Sequence, residues 1–202
     1  VPLVVVTRGA AGALVAEAGR IVAEVAAPAL LDGAAHLHLS GYLFFADSSR
    51  ELALVALRAA TARGVPVSVD PASAGFLLTL GPRRFLDAVA GARVLLPNED
   101  EARLLAGLPG RSGAARAAVE LSRRVPLVVV TRGAAGALVA EAGRIVAEVA
   151  AEAVEAVDST GAGDAFTGGF LAARLAGADP AEAARAGCRT AAVAVTRLGG
   201  RP

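Results

Sequence analysis

The chain has 202 residues, of which 55% are hydrophobic, so it is long and apolar enough for one folded domain and is not an intrinsically disordered chain. Its 20 basic and 19 acidic residues are interspersed and give a net charge of +1, which offers no case for binding nucleic acid or a membrane surface. Every basic residue is arginine, which excludes a Walker-type phosphate loop and a lysine-based protein-kinase site.

The single cysteine, Cys188, excludes an internal disulfide framework. It falls in an Ala-rich helical pattern, which favours a small buried side chain over a nucleophile. No apolar stretch reaches transmembrane length without a charge, and no basic segment precedes the first apolar run. We therefore expect a cytoplasmic protein with no membrane partner.

Residues 1–27 are identical to residues 125–151, and the identity ends where Pro28 stands against Glu152. Two copies without divergence are not typical of a solenoid, and they indicate a very recent duplication, an engineered chain or an error of sequence assembly. Each copy predicts a strand, a glycine turn and a hairpin. We divide the chain into a duplicated segment, 1–27, and a core, 28–202.

Short apolar strands alternate with helical patterns from about residue 35 to residue 130, which predicts a parallel sheet with helices on both faces. Ser48 and Glu51 have the spacing of a capping box at the start of one of these helices. The predicted strands are 37–41, 65–70, 92–96 and 127–130, and the predicted helices are 48–63, 82–89, 98–105 and 113–124.

Two histidines and one aspartate lie on the first strands of this pattern. His36 and His38 alternate and face one side, where a hydrogen-bonded pair is favoured over a metal site because no third ligand is close in sequence. Asp70 ends the next strand, at the edge where open α/β sheets hold their ligands. The Asp70-Pro71 pair is equally ordinary turn chemistry.

Asn98 and Glu101 follow the strand at 92–96. Asn at the N-cap and Glu three residues later form a capping box, which is sufficient to explain both residues. A capped helix N-terminus at the end of a strand is also where phosphate binds. Both interpretations can hold together.

The segment 158–166 lies between an alternating stretch, 152–157, that predicts a strand and an apolar helical pattern at 168–175. The small residues at 161–163 would let an anion approach the unpaired N–H groups of a helix N-terminus. Asp164 then lies beside that anion as a base, which is what phosphoryl transfer from a nucleotide to a hydroxyl requires. A Gly-rich turn with an Asp that complements the helix dipole is the alternative.

The whole nonapeptide 158–166 resembles the C-terminal signature of the ribokinase-like (PfkB) carbohydrate kinase family. The resemblance implies a three-layer α/β/α fold with a mostly parallel central sheet, incomplete on its N-terminal side. It also implies ATP- and Mg²⁺-dependent phosphoryl transfer to a hydroxyl of a sugar or sugar-like substrate. By the resemblance Asp164 is the catalytic base, and the backbone of Gly161, Ala162 and Gly163 is the anion hole.

Two further segments resemble motifs of the same family, in the family's order. Asn98 and Glu101 match its Asn-x-x-Glu motif, which organises magnesium and phosphate. Thr131, Gly133 and Gly136 match a segment that lies against the nucleotide, although the two glycines could simply form a turn. The resemblance therefore implies cofactor contacts at Asn98 and the three residues 131, 133 and 136, and a metal contact at Glu101.

Asp158 and Thr160 lie where some relatives bind a monovalent cation, so the resemblance implies activation by K⁺ through a metal contact at Asp158 and a cofactor contact at Thr160. The last predicted helix, which starts at the cap Asp179 and runs to about Arg197, corresponds to the helix beside the adenine pocket. Relatives often pair, so a homodimer is a further expectation.

The resemblance covers about residues 29–202. Family members carry, ahead of the strand at 37–41, the first strands of the sheet, a sugar-binding loop and a β lid. The copy of 125–151 stands there instead, and its strand at 3–6 could cover the open sheet edge. We therefore expect a truncated carbohydrate kinase, with a catalytically inactive nucleotide-binding remnant, or a partner of a full-length kinase, as the alternative. A nicotinamide-dependent oxidoreductase is disfavoured, because no Gly-x-Gly-x-x-Gly follows an early strand.

Overall fold

The structure is a computed structural model that describes residues 3–7, 13–17, 20–24, 31–108 and 113–199. Two short 3-10 helices, Gly41–Phe44 and Gly133–Ala135, accompany the longer elements. The strands are β1 (Leu3–Thr7), β2 (Ala13–Glu17), β3 (Arg20–Glu24), β4 (Leu37–Ser40), β5 (Val67–Asp70), β6 (Val94–Leu95), β7 (Leu127–Thr131), β8 (Ala137–Glu141) and β9 (Arg144–Val149). The helices are α1 (Asp47–Ala62), α2 (Ala74–Leu80), α3 (Pro82–Ala88), α4 (Glu99–Leu105), α5 (Ala114–Leu121), α6 (Ala162–Leu175) and α7 (Pro180–Val195).

One six-stranded sheet has the order β4-β5-β6-β7-β8-β9. Strands β4 to β7 are parallel, as the alternation of strands and helices predicted, and β8 and β9 add an antiparallel meander. The register pairs Ser40 with Asp70. The carboxyl ends of the parallel strands therefore meet at one edge, which is where ligands bind in open α/β sheets.

The sheet separates two hydrophobic cores. Leu37 and Leu39 of β4 point to the core formed with α1 to α5, whereas Val129 of β7 points to a second core formed with α6 and α7. This is a three-layer α/β/α arrangement, as expected. Helices α6 and α7 pack closely because Gly187 stands where a Cβ atom would lie only 2.9 Å from the Phe166 ring.

The duplicated segment folds like its second copy. β1, β2 and β3 pair antiparallel with the register and the bulge of β7, β8 and β9. They form a sheet of their own, and β1 lies close to β4 without pairing with it. β1 therefore does not extend the six-stranded sheet by hydrogen bonding to its edge strand, β4. The glycine turns of this first copy lie outside the described residues.

Two local predictions are wrong. Helix α1 begins at Asp47 with Ala46 at its N-cap, so the proposed capping box at Ser48 and Glu51 does not start this helix. Residues 152–157 form no strand. Instead, the backbone N–H groups of Val157 and Asp158 donate to the carbonyl of Val195 at the end of α7, so this segment hydrogen-bonds to a helix end and not to a sheet.

None of the helices within these described ranges is long and apolar enough to cross a membrane.

Candidate active site

The ends of three neighbouring strands bring distant motifs together. Asp70 ends β5, Asn98 follows β6 and Thr131 ends β7. Beyond β6, Asn98 and Thr131 form an isolated parallel bridge, and the Thr131 N–H donates to the Pro97 carbonyl at 3.0 Å. The Asn-x-x-Glu motif and the Thr-x-Gly-x-x-Gly segment are therefore adjacent in space, as two neighbouring parallel strands require.

Asn98 and Glu101 form the predicted capping box at the start of α4. The Asn98 side chain accepts from the Glu101 N–H at 3.0 Å, and the Glu101 Oε2 atom accepts from the Asn98 N–H at 2.9 Å. Glu101 is only 4% exposed. Burial, the largest cause, raises the pKa of its carboxyl despite the hydrogen bond from Asn98, and the charge of Asp70 raises it further. The cap thus fixes a buried carboxyl group at the sheet edge.

Helix α6 begins as the nonapeptide predicted. Gly161 is its N-cap, in the left-handed conformation at φ 77°, which glycine adopts without strain. No side chain caps this helix, and Ala162, Gly163 and Asp164 form its first turn. A Cβ atom at Gly163 would point into open space. The first turn therefore presents backbone N–H groups to an anion without side-chain obstruction.

A small cavity of about 120 Å³ lies between this helix start and the sheet edge. Three carboxylates line it: Asp70, Glu101 and Asp164. The pKa of Asp164 is raised, first by burial and then by the charge of Asp70, while His38 acts in the opposite direction. The cavity thus concentrates negative charge around the residue that the resemblance implies is the base.

A second, larger cavity of about 290 Å³ lies on the other side of the α6 N-terminus. Its wall is mostly apolar and includes Gly133 and Gly136, which the resemblance predicts to lie against a nucleotide. Thr131 and Gly163 line both cavities. An elongated ligand could therefore lie in the larger cavity and reach past Gly163 into the smaller one. The remaining wall is formed by Ala134, Ala151, Glu152, Val154, Ala156, Ser159, Ala162, Phe166, Cys188, Ala191, Ala192 and Val195.

The turn glycine Gly136 is required by close packing. Its φ is 84°, and a Cβ atom would lie 1.9 Å from the carbonyl oxygen of Val149. At Gly133 a Cβ atom would meet nothing within 4 Å, although its φ of 55° also favours glycine. The alternative interpretation of these two residues as turn formers is therefore correct, and it is compatible with their position in the cavity wall.

Asp158 and Thr160 are not among the residues that line either cavity. Asp158 accepts hydrogen bonds from the N–H groups of Thr160 and Gly199, at 2.9 Å each. The bonds from Thr160, followed by the bond from Gly199, lower the pKa of its carboxyl. The structure thus gives Asp158 a role in tying the loop before α6 to the segment after α7, and the monovalent-cation site remains a prediction.

His36 and His38 are linked through the hydroxyl of Ser68 and not directly to each other. Both contact the Ser68 hydroxyl, through His36 Nε2 at 2.8 Å and His38 Nδ1 at 2.8 Å. His38 Nε2 lies 3.1 Å from Asp70 Oδ2. The sequence predicted that the two histidines face one side and did not predict their link to Asp70, because that link depends on the register of β4 against β5.

Sequence reasoning also missed part of the larger cavity. Val154 and Ala156 line it from the segment that the alternation pattern assigned to a strand. Ala191, Ala192 and Val195 line it from α7. The alternation at 152–157 carried no signal of a cavity wall, because the 44% exposure of Val154 is known only from the structure.

Residues 22–202 match the family described as pfkB family carbohydrate kinase, so the match covers most of the chain. The chain belongs to the pfkB family of carbohydrate kinases. Among curated pfkB relatives, the ribokinase of Haemophilus influenzae is 32% identical over 148 residues, which cover 72% of this chain and 46% of that protein. A HldE bifunctional protein of Caulobacter is 33% identical over 149 residues, or 71% of this chain and 28% of that protein.

Solved structures agree with this pfkB assignment. A ribokinase II from Escherichia coli, in complex with ATP and Mg²⁺, is 30% identical with a TM-score of 0.73 and covers 86% of this chain and 56% of its own. An adenosine kinase from Sinorhizobium meliloti is 24% identical with a TM-score of 0.81, which supports the fold. That match covers 89% of this chain and 54% of the adenosine kinase. The chain thus spans about half the length of these relatives or less.

The small cavity offers donor types that suit a divalent cation, while no group of three or more His, Cys, Asp or Glu side chains in the described residues is arranged to hold a metal ion by itself. Its wall offers the carboxylates of Asp70 and Glu101 and the amide of Asn98, and such oxygen donors are those that Mg²⁺ prefers. The charge of Asp70 raises the pKa of both Glu101 and Asp164, which is the mutual repulsion that a bound cation would relieve. A pfkB kinase that uses magnesium would hold it with one or two carboxylates together with phosphate.

Proposed function

We propose that this chain is the nucleotide-binding and catalytic part of an ATP-dependent carbohydrate kinase that phosphorylates a hydroxyl of a sugar or sugar-like substrate. One observation carries the proposal: the larger and smaller cavities meet at Gly163, in the first turn of α6. A nucleotide in the larger cavity would direct its terminal phosphate past that turn. There the phosphate would meet an acceptor hydroxyl beside Asp164.

Asp164 takes the proton of the acceptor hydroxyl in this proposal. A carboxyl group buried beside another carboxylate is a stronger base than one in water, which favours proton transfer in the transition state. Burial and the charge of Asp70 both act in this direction on Asp164. The acceptor oxygen then attacks the γ-phosphorus in line with the leaving ADP oxygen, and the proton remains on the Asp164 carboxyl.

The first turn of α6 stabilises the charge that spreads over the transferred phosphoryl group. The backbone at Gly161, Ala162 and Gly163 is the candidate anion hole, and the positive end of the helix dipole acts in the same direction. The Ala162 N–H already donates to the Ser159 carbonyl at 3.2 Å, so the N–H groups of Gly161 and Gly163 are the stronger candidates. The absence of a capping side chain on α6, within the residues that are described, supports this assignment. A capped turn would already have its N–H groups occupied.

Asp70 and Glu101 would hold a divalent cation, with Asn98 beside them. When bound, Mg²⁺ would neutralise charge on the β- and γ-phosphates. Glu101 is already fixed by its bond from the Asn98 N–H, so little side-chain entropy would be lost on binding. Thr131, Gly133 and Gly136 would border the nucleotide. Potassium activation through Asp158 and Thr160 stays a prediction of the resemblance, and no step here uses it.

The proposal is tested by measuring ADP formation from Mg-ATP with a panel of sugars and nucleosides, for the full chain and for Asp164→Asn. We expect acceptor-dependent ADP formation and a phosphorylated product by mass spectrometry. In Asp164→Asn the rate should fall about 10²–10⁴-fold, the contribution typical of a general base. Nucleotide binding should persist in this variant. Full turnover in Asp164→Asn would exclude its role as the base.

A second candidate is a nucleotide-binding protein without kinase activity, or a partner of a full-length kinase. The observation that favours it is that, apart from Asp164, no residue lining the two cavities is assigned to the acceptor. Correct positioning of two reactants can supply about 7–11 kcal/mol of a barrier, and a chain without the acceptor contacts would lose much of it. Nucleotide-dependent thermal stabilisation without phosphorylation of any acceptor would favour this second candidate.

A further inference from the structure

Four polar side chains form a hydrogen-bonded series that ends at the small cavity: His36, Ser68, His38 and Asp70. Ser68 is buried and the other three are half-buried. They alternate with the apolar residues of β4 and β5, so they face the α6 side of the sheet while their neighbours enter the opposite core. Ser68 is 0% exposed, which makes it one of the few buried polar side chains in the described residues. A polar side chain that is buried in this way is costly unless it has hydrogen-bond partners.

Three hydrogen bonds join the four side chains in this order. Because the Asp70 carboxylate can only accept, His38 Nε2 donates to Asp70 Oδ2 at 3.1 Å. In a neutral His38 the Nδ1 atom then accepts from the Ser68 hydroxyl at 2.8 Å. Ser68 in turn accepts from His36 Nε2 at 2.8 Å. Burial, followed by the neighbouring His38 and Arg174, lowers the pKa of His36 to about 4, so His36 is neutral at physiological pH.

We propose that His38 is a positioning residue: held by Ser68, it fixes the Asp70 carboxylate at the wall of the small cavity, oriented for a divalent cation. This inference rests on the proposed function for the identity of the site. It adds to that function a residue that touches neither the nucleotide nor the cation. A carboxylate ligand is commonly oriented by a second hydrogen-bonding partner in this way, and loss of that partner typically costs about 10–100-fold in metal affinity or activity.

Two substitutions at one position separate the hydrogen bond to Asp70 from packing. In His38→Gln the side-chain amide can place a donor near the position of Nε2 and keep the bond to Asp70. In His38→Asn the shorter amide reaches only as far as Nδ1, so the contact with Ser68 can remain while the bond to Asp70 is lost. Both replacements are polar, uncharged and smaller than His38.

The probe is Mn²⁺, measured by electron paramagnetic resonance on the full chain with a non-hydrolysable ATP analogue. We expect His38→Asn to weaken Mn²⁺ binding by about 10–100-fold, and His38→Gln to bind close to wild type. Ser68→Ala should also weaken binding. Ser122→Ala is the matched control, because Ser122 is likewise buried and hydrogen-bonded but lies far from the cavity wall, where it accepts from the Gly143 N–H at 3.0 Å.

A double-mutant cycle removes the ambiguity of a folding defect. If His38 acts through Asp70, then His38→Asn combined with Asp70→Asn should bind Mn²⁺ no more weakly than Asp70→Asn alone. Additive losses would overturn the inference, as would equal Mn²⁺ affinity in wild type and His38→Asn, or no Mn²⁺ binding by wild type at all. Mn²⁺ binding without phosphorylation of any acceptor would instead count against the proposed function, and the comparison of His38 variants would still decide this inference.

Discussion

Asn98, just beyond β6, and Thr131, the last residue of β7, form a parallel bridge, so the cap of α4 is joined by backbone pairing to a residue that lines the larger cavity. The Thr131 N–H donates to the carbonyl of Pro97, the residue before the cap. A substitution that disrupts the cap should therefore alter the position of the cavity wall as well as the start of helix α4. Because of this coupling, a control variant is needed to separate the capping role of Asn98 from its role at the site.

Asn98→Ala is expected to cost about 1 kcal/mol of stability through loss of the cap, and to weaken binding of the Mg-nucleotide as well. Asp179→Ala is the matched control, since Asp179 makes the same capping box at α7 with Glu182 and lines neither cavity. Urea unfolding and nucleotide titration of both variants check the expectation. Equal effects of the two variants on nucleotide binding would leave Asn98 with a capping role alone.

Gly163→Ala is expected to lower phosphoryl transfer and nucleotide affinity without lowering stability. The added methyl group would point into the open space where the two cavities meet. Gly168→Ala is a control on the same helix, where a Cβ atom also meets nothing within 4 Å but no cavity is lined. Alanine in place of a helical glycine should stabilise α6 by up to about 1 kcal/mol. Equal nucleotide affinity in both variants would argue against an anion hole at this turn.

Ala192→Phe is expected to block nucleotide binding, because its side chain would enter the larger cavity from α7. Val193→Phe, at the next position of the helix, is the control. Val193 is 56% exposed and does not line this cavity, so the larger ring should remain in solvent. Fluorescence titration with a labelled ATP analogue measures both. Normal binding by Ala192→Phe would mean that the nucleotide lies elsewhere.

The value of kcat/KM should fall at acid pH, and the apparent pKa of this acid limb should lie above 3.8, the ordinary pKa of aspartate. The reason is that burial and the charge of Asp70 raise the pKa of Asp164. A raised pKa means that the base takes up a proton, and activity is lost, at a higher pH. Asp70→Asn removes one of these causes, so at saturating Mg²⁺ the limb should move to lower pH. A limb that stays in place or rises in Asp70→Asn would contradict this assignment.

Glu101 is a second carboxyl group with a raised pKa, so the acid limb needs an independent assignment. The profile should therefore be repeated with Glu101→Gln, in which the limb of Asp164 is expected to remain. If the acid limb disappeared in Glu101→Gln, the limb would have to be assigned to Glu101 and not to Asp164.

Removal of residues 1–27 is expected to lower the unfolding temperature and increase self-association. β4 is an edge strand of the six-stranded sheet, and β1 lies close to it. An uncovered edge can pair with another chain, which is also one route to the homodimer expected from the resemblance. Calorimetry and sedimentation velocity would test this. If both measurements were unchanged, β1 to β3 would have no protective role at this edge.

The sequence by itself determined what depends on neighbouring residues. The capping boxes at Asn98 and Asp179, the parallel strands that alternate with helices and the start of α6 at the nonapeptide were all predicted correctly, because caps and periodicity act within a turn or a strand. The same local control is seen in the duplicated segment, which pairs in the same register in both copies. The family also followed from one local motif.

The tertiary structure alone decided which side chains share the site. Residues 152–157 alternate like a strand, but the backbone N–H of Val157 donates to the carbonyl of Val195 in α7. Val154 of the same segment lines the larger cavity. Asp70 was ambiguous until the register of β4 against β5 placed His38 beside it. Such contacts join residues far apart in the chain, and the free energy that selects them comes from burial and pairing across elements, which no local pattern contains.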